Sequence, residues 1–318
     1  MIGEISPSVE GREVDPPNLL KQNNGEISPK AFWGIRQRAL FPLKTQRQLR
    51  KVIIPAAGVG SRMESLTQGI PKEMLSIGGR PMISYAIQEV LLSGLEEVYI
   101  IINSRKDTLR RYLESEDVMR DLREGNSQNV PPLYLAFIEQ PTSAGSGDAI
   151  YRARDLIGDD PFGLMMPDFI FFGDTPAFGQ LIPLYERFRR DVVGLLLLRR
   201  EETTGFGNVG IVQGGESEPG IVSVRSLSGK VPGSLIIKEA EHILKAAPRW
   251  ILGPHFFSYL EKIKGKGEWD DTPALQLLCK EREVRGTVLE SRGFDVGNPV
   301  GYEAAEAFAS HLDAGVER

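Results

Sequence analysis

The sequence predicts an α/β fold, a doubly wound and mostly parallel mixed sheet followed by a smaller β-rich part, on three observations. Short runs of β-branched and apolar residues alternate with segments of helical periodicity from Lys51 to about Leu198. The polar motifs fall where those runs end, at the carboxyl ends of the strands, where sheets of this kind bind ligands. Beyond Gly205 the runs become shorter and are separated by Gly- and Pro-rich text.

Taken in order, Lys51–Pro55 reads as a buried strand. Met82, Ile83, Ala86, Ile87, Val90 and Leu91 recur at helical spacing, and Gly94 is a fitting stop. Val98–Ile102 reads as the second strand, Thr108–Leu122 as one helix, and Leu133–Ile138 as the third strand. A helix over Gly147–Leu156, a strand over Phe162–Met166, a helix over Ala177–Arg189 and a strand over Val192–Leu198 follow. In the second part, Asn208–Gln213, Ile221–Ser226, Trp250–Gly253 and Arg285–Leu289 are strand candidates, and Tyr302–Leu312 is a closing helix. Residues 1–48 read as an N-terminal extension, polar and rich in Pro, Gly, Asn and Ser up to Pro29, then mixing Phe32, Trp33 and Phe41 with dispersed arginines.

With 318 residues, 41% hydrophobic and 25% charged, the chain has the composition of a soluble globular protein. No apolar run nears the roughly 20 residues that span a bilayer, and the N-terminus lacks the basic and apolar regions of a signal peptide. No membrane partner is expected. The single cysteine, Cys279, allows no intrachain disulfide and suits a reducing cytoplasm, where it reads as a packing residue of a helix. A net charge of −5 argues against nucleic acid as a partner, since that needs a basic face. It leaves a nucleotide ligand open, because two or three local cations suffice for one.

The stretch KVIIPAAGVGSRMESLTQGIPKEML, Lys51–Leu75, is arranged for such a ligand. Gly58 and Gly60 let the backbone approach an anion closely, and Arg62 and Lys72 add a fork-shaped and a point-like cation. The third glycine of a dinucleotide fingerprint is replaced by Met63, and no Gly-Lys-Ser/Thr follows, which disfavours nicotinamide and Walker-type readings. Asp168 and Asp295 each end or interrupt an apolar run, where a carboxylate is costly unless paired or bound to a cation. Each taken alone also suits a cap or a turn. His242, His255 and His311 are scattered and form no catalytic pattern.

PAAGVGSRM followed by IPKEML resembles the opening of the sugar-1-phosphate nucleotidyltransferases, above all the bacterial UTP–glucose-1-phosphate uridylyltransferases. IEQPTSAGSGDAI, MMPDFIF and GFDVGNPVGY resemble, in the same order, that family's base-binding segment, metal-binding strand end and second acidic motif. The resemblance implies a Rossmann-like, GT-A-like catalytic domain over 49–312, with a nucleotide-binding half at 49–200, a sugar-binding half at 201–298, and a C-terminal helix and tail at 299–318. It implies that Ala57, Gly58 and Gly60 lie along the nucleotide, and that Gln140 and Gly145 meet the base. By the same resemblance Arg62 and Lys72 hold the β- and γ-phosphates, and Asp168 and Asp295 bind Mg²⁺. The implied reaction joins UTP to a sugar 1-phosphate, giving a nucleotide-diphosphate sugar and pyrophosphate. A dimer or tetramer is implied by the same analogy.

Two departures limit the match. Gln68 stands where the family carries a lysine, and the family's Glu-Lys-Pro tripeptide is missing. IIKEAEHI, residues 236–243, offers Lys238 and Glu239 for the sugar phosphate and sugar hydroxyls, with Gly210 and Gly253 as small residues beside the sugar. Another acceptor, a shifted loop, and a homologue that binds nucleotide without turnover all stay open, as do dTTP and CTP as donors.

Overall fold

The structure is a computed structural model and describes residues 49–124, 132–199, 202, 205–206, 210–229, 242–265 and 268–316. Its strands run β1 (Lys51–Pro55), β2 (Ser76–Ile77), β3 (Arg80–Pro81), β4 (Glu97–Ile102), β5 (Tyr134–Glu139), β6 (Phe162–Met165) and β7 (Phe169–Phe172). Then follow β8 (Asp191–Arg199), β9 (Val212–Glu218), β10 (Ile221–Leu227), β11 (His242–Leu252), β12 (Val284–Val288) and β13 (Arg292–Asp295). Nine of these form one sheet in the order β5-β4-β1-β6-β11-β8-β12-β10-β9.

β1 pairs in parallel with β4 and β6, and β4 with β5, as βαβ connections require. β11 then enters between β6 and β8 antiparallel to both, and joins the two ends of the sheet. The expected mixed sheet is therefore present, with parallel pairing concentrated in its first half. Side chains alternate across it: Val52 and Ile54 belong to one core, and Ile53 to the other. The first core is covered by the helices Met82–Leu92, Asp107–Glu114 and Ala177–Phe188, and the second by Ser146–Tyr151, Phe256–Ile263 and Thr272–Glu281. A third, smaller core packs the helix Pro299–Val316 against β2, β7 and β13.

Several boundaries differ from the expectations. The single helix expected over Thr108–Leu122 is two, Asp107–Glu114 and Glu116–Glu124. Ser115 between them is extended, and its hydroxyl receives the Val118 N–H, so it caps a new helix instead of continuing the old one. The helix expected over Gly147–Leu156 is likewise split, into Ser146–Tyr151 and Arg154–Ile157. Trp250–Gly253 proves to be the end of β11, which starts eight residues earlier at His242. Pro248 within it coincides with a break in register between Ala246 and Trp250, where a proline's missing N–H does least harm. Cys279 is buried on the helix Thr272–Glu281, as a packing residue. The expectations for residues 1–48, Lys238 and Glu239 lie outside the described residues. No helix among the described residues is long and apolar enough to cross a membrane.

Candidate active site

The glycine loop begins where β1 leaves the sheet. Ala56 N–H still bonds the Ile101 carbonyl, and the Asn103 side chain donates to the Ala57 carbonyl at 2.6 Å, so the loop starts from a fixed point. Gly60 is left-handed, and the turn Ser61–Met63 buries Met63 in the third core while Arg62 stays exposed. A Cβ on Gly60 would lie 3.3 Å from the stem of Lys72, so the glycine leaves that stem its room.

Lys72 Nζ lies 2.5 Å from Asp168 Oδ2. Burial works against this ammonium, and the charges of Asp168 and Glu73 more than offset it, so its pKa stands above the ordinary 10.5. Burial alone would raise Asp168, but the charge and hydrogen bond of Lys72, with Arg62, hold it below the usual carboxylate value. Behind Lys72, the fully buried Glu73 pairs with Lys106 at 2.5 Å.

β7 and β13 pair antiparallel, with Asp295 opposite Phe169, which sets Asp295 beside Asp168. Burial and then the like charge of Asp168 push Asp295 up. Two hard oxygen donors whose charges repel suit a divalent cation of the Mg²⁺ type, which completes its shell with substrate oxygens and water. Among the described residues no cluster of three or more His, Cys, Asp or Glu offers a fuller protein cage.

Gly297 follows Asp295 by two residues. Its N–H donates to Asp295 Oδ1 at 3.2 Å, and a Cβ there would come within 2.6 Å of Asp168 Oδ2. Only a residue without a side chain lets both carboxylates share this space. Gly297→Ala is expected to lower kcat on the order of 10- to 100-fold by displacing Asp168. Pyrophosphate release under saturating substrates checks it.

Arg62, Asp168 and Asp295 line a cavity of about 310 Å³ together with Gly210, Lys245, Ser146 and the carboxylates Asp270 and Asp271. The structure thus brings Arg62, Asp168, Asp295 and Gly210 to one cavity, and ties Lys72 to it through Asp168. Gln140 and Gly145 lie beside it. Gln140 is buried, and its amide nitrogen donates to the Gly145 carbonyl at 3.0 Å and to Asp148 at 2.8 Å. Gly145 has φ 106°, and a Cβ on it would run into the Trp269 carbonyl, so close contact with the 268–271 segment demands this glycine. Gly253 belongs instead to a turn held by Asp191, which also pairs with His255.

Sequence reasoning missed Lys245, Ser146, Asp270 and Asp271. Lys245 carried one readable signal: with Arg249 it is one of two cations inside the otherwise mostly apolar run HILKAAPRWIL. Ser146 Oγ lies 2.8 Å from Asp270 Oδ1 and 2.6 Å from Asp271 Oδ1, and that contact crosses more than 120 residues. Burial, and then the neighbouring Asp270, push Asp271 up to about 7. A carboxyl raised in the folded state adds stability that is full below its unfolded pKa, near 4, and is lost as pH rises through 7. Urea unfolding from pH 5 to pH 8 should therefore show falling stability, and Asp271→Asn should flatten that slope.

Residues 51–230 match the family described as Nucleotidyl transferase. This chain is a member of that family. It is 31% identical over 267 residues to a UTP–glucose-1-phosphate uridylyltransferase of Bacillus subtilis, covering 80% of this chain and 89% of that protein. It is also 31% identical over 268 residues to UTP–glucose-1-phosphate uridylyltransferase 1 of Staphylococcus saprophyticus, covering 80% and 90%. Among solved structures, a UDP-glucose pyrophosphorylase complexed with UDP-glucose is similar with a TM-score of 0.70 at 26% identity, covering 83% of this chain and 99% of that one. The nucleotidyltransferase fold and enzyme class expected from the motifs are those of the family.

Proposed function

We propose that this nucleotidyltransferase moves a uridylyl group from UTP to a sugar 1-phosphate, giving a nucleotide-diphosphate sugar and pyrophosphate. The observation that carries the reading is the one cavity that Arg62, Asp168 and Asp295 line together, with Lys72 locked to Asp168. The names of the similar uridylyltransferases support it. We read residues 49–200 as the nucleotide side and 201–298 as the acceptor side.

An acceptor phosphate oxygen forms a bond to the α-phosphorus as the bond to the bridging oxygen of pyrophosphate breaks. The nucleophile is already an anion, so no side chain need take a proton, in keeping with the absence of a histidine from this cavity wall. The work left to the protein is positioning and charge stabilisation. Arg62 holds phosphate oxygens of the donor with its planar fork, and Lys72 does so with the N–H groups not given to Asp168. Asp168 and Asp295 would hold Mg²⁺, which when bound supplies charge neutralisation at the donor phosphates. Gln140, whose amide N–H groups go to the Gly145 carbonyl and Asp148, keeps its side-chain oxygen for the base, and Ala57 and Gly58 leave room for it.

Pyrophosphate release with Mg²⁺, a panel of sugar 1-phosphates, and UTP, dTTP or CTP as donor tests the reading. UTP with at least one acceptor should turn over. No release from any pair, with UTP binding intact, would instead mark a nucleotide-binding homologue without turnover and overturn the proposal.

A further inference from the structure

The groups that would meet the donor's phosphates lie on one excursion of the chain, between the end of β1 at Pro55 and the start of β2 at Ser76. Most of residues 58–70 are exposed, with Met63 and Thr67 buried, so the excursion has little packing of its own to fix the distance from the glycine loop to Lys72. Both of its ends are held by one turn, residues 103–106, between β4 and the helix Asp107–Glu114. Asn103 Nδ2 donates to the Ala57 carbonyl at 2.6 Å, and Lys106 Nζ lies 2.5 Å from Glu73 Oε2. The turn is closed on itself: the Lys106 N–H donates to the Asn103 carbonyl at 3.0 Å, and the Arg105 N–H to Asn103 Oδ1 at 2.9 Å.

Glu73 is fully buried and Lys106 is 4% exposed, and Glu73 Oε1 has no hydrogen-bond partner among the described residues. Desolvation works against such a pair, and two apolar side chains of similar size would join the helix to the loop without that penalty. What the ion pair adds is register, a contact with one geometry where apolar side chains can slide. Register matters at this point because Glu73 is the chain neighbour of Lys72, so a shift of one is a shift of the other. A misplacement of about 1 Å is enough to lose much of the benefit of a positioned group.

We propose that Asn103 and Lys106 act together as a bracket that sets the span from the glycine loop to Lys72, and thereby position the two sides of the grip on the donor's phosphates. The proposal rests on the uridylyltransferase reading above for the identity of the donor, and adds to it the residues that keep its phosphate site in shape. Both are positioning residues: Asn103 acts through the Ala57 carbonyl, and Lys106 through Glu73. The bracket serves the phosphates and not the base, which Gln140 meets from the end of β5. Its effect therefore grows with the number of phosphates on the ligand.

The test is equilibrium titration of UTP and of UMP against wild type, Asn103→Ala, Lys106→Met, Lys106→Arg and the double variant Asn103→Ala/Lys106→Met, with a urea midpoint for each. Asn103→Ala and Lys106→Met should each weaken UTP about 10-fold and leave UMP within about twofold of wild type. Lys106→Arg should recover part of the loss. The double variant should lose less than the product of the two single losses, because releasing either end already frees the span. A purely structural role would lower the urea midpoint and leave the ratio of UTP to UMP affinity unmoved. That result, an unchanged UTP affinity in Asn103→Ala, or a double-variant loss equal to the product overturns the proposal. Should Lys106→Met not fold, Lys106→Met/Glu73→Leu, which leaves no buried charge, takes its place in every comparison. A wild-type protein that binds UTP but releases no pyrophosphate with any acceptor fails the parent reading and leaves this one to the titrations. A wild-type protein that binds no UTP fails both.

Discussion

Asp168→Asn is expected to lower kcat by about 10³-fold or more, the scale on which removal of a preorganised electrostatic group acts. The amide keeps the shape of the carboxylate and removes its charge. It thereby takes away one of the two hard donors for a divalent cation and the partner of Lys72, whose ammonium lies 2.5 Å away. Loss of that charge-assisted bond should also cost about 1–3 kcal/mol of stability, visible as a lower urea midpoint. UTP binding, read by equilibrium titration, should survive, because Arg62 and the glycine loop do not depend on Asp168. A variant that turns over at the wild-type rate would rule out Asp168 as a metal ligand.

The second large effect lies away from the cavity wall. Arg249 is 1% exposed, and its Nε lies 3.0 Å from both carboxylate oxygens of Glu89 on the helix Met82–Leu92. Its remaining N–H groups donate to the carbonyls of Met166, Pro248 and Phe169, at 3.0, 3.1 and 2.8 Å. Met166 and Phe169 bracket Asp168, so this guanidinium clamps the turn that presents the carboxylate. Arg249→Met should destabilise the protein by about 3–5 kcal/mol, because Glu89 is left as a buried charge without its counter-ion. Adding Glu89→Leu should restore much of the stability, since replacing both members of a buried pair by apolar groups is often close to neutral. It should not restore kcat, because the Met166 and Phe169 carbonyls stay unbraced. Denaturant midpoints and pyrophosphate release, measured on wild type and both variants, separate the two effects. Equal midpoints for Arg249→Met and wild type would remove the clamp from the account.

The glycine loop and the two aspartates were legible because each sits at or just past the end of an apolar strand, and Arg62 and Lys72 because they follow that loop closely in sequence, local patterns that survive in one dimension. The second half of the site was not. Pro248 made the run around Trp250 look too short for a long strand, and with β11 truncated, Lys245 had no strand to place it on. Lys238 and Glu239 drew attention instead because they stand near the missing tripeptide in sequence. β9 was misjudged for a related reason. VQGGESE is polar and glycine-rich, yet it forms as a strand at the sheet edge, paired among the described residues with β10. The contacts of Ser146 with Asp270 and Asp271, and of Arg249 with Glu89, close over more than 100 residues and leave no periodic trace.

The place of β11 bears on how this enzyme could be re-engineered. One strand carries both Lys245 and, four residues on, Arg249, so a backbone adjustment made to suit a new acceptor would be felt at the turn that presents Asp168. By contrast Leu227, Thr272 and Leu275 reach the cavity from β10 and the helix Thr272–Glu281, and none of them belongs to that clamp. Libraries aimed at substrate range should vary these three positions and leave β11 untouched, so that the search for a new sugar does not begin by dismantling the machinery that activates it.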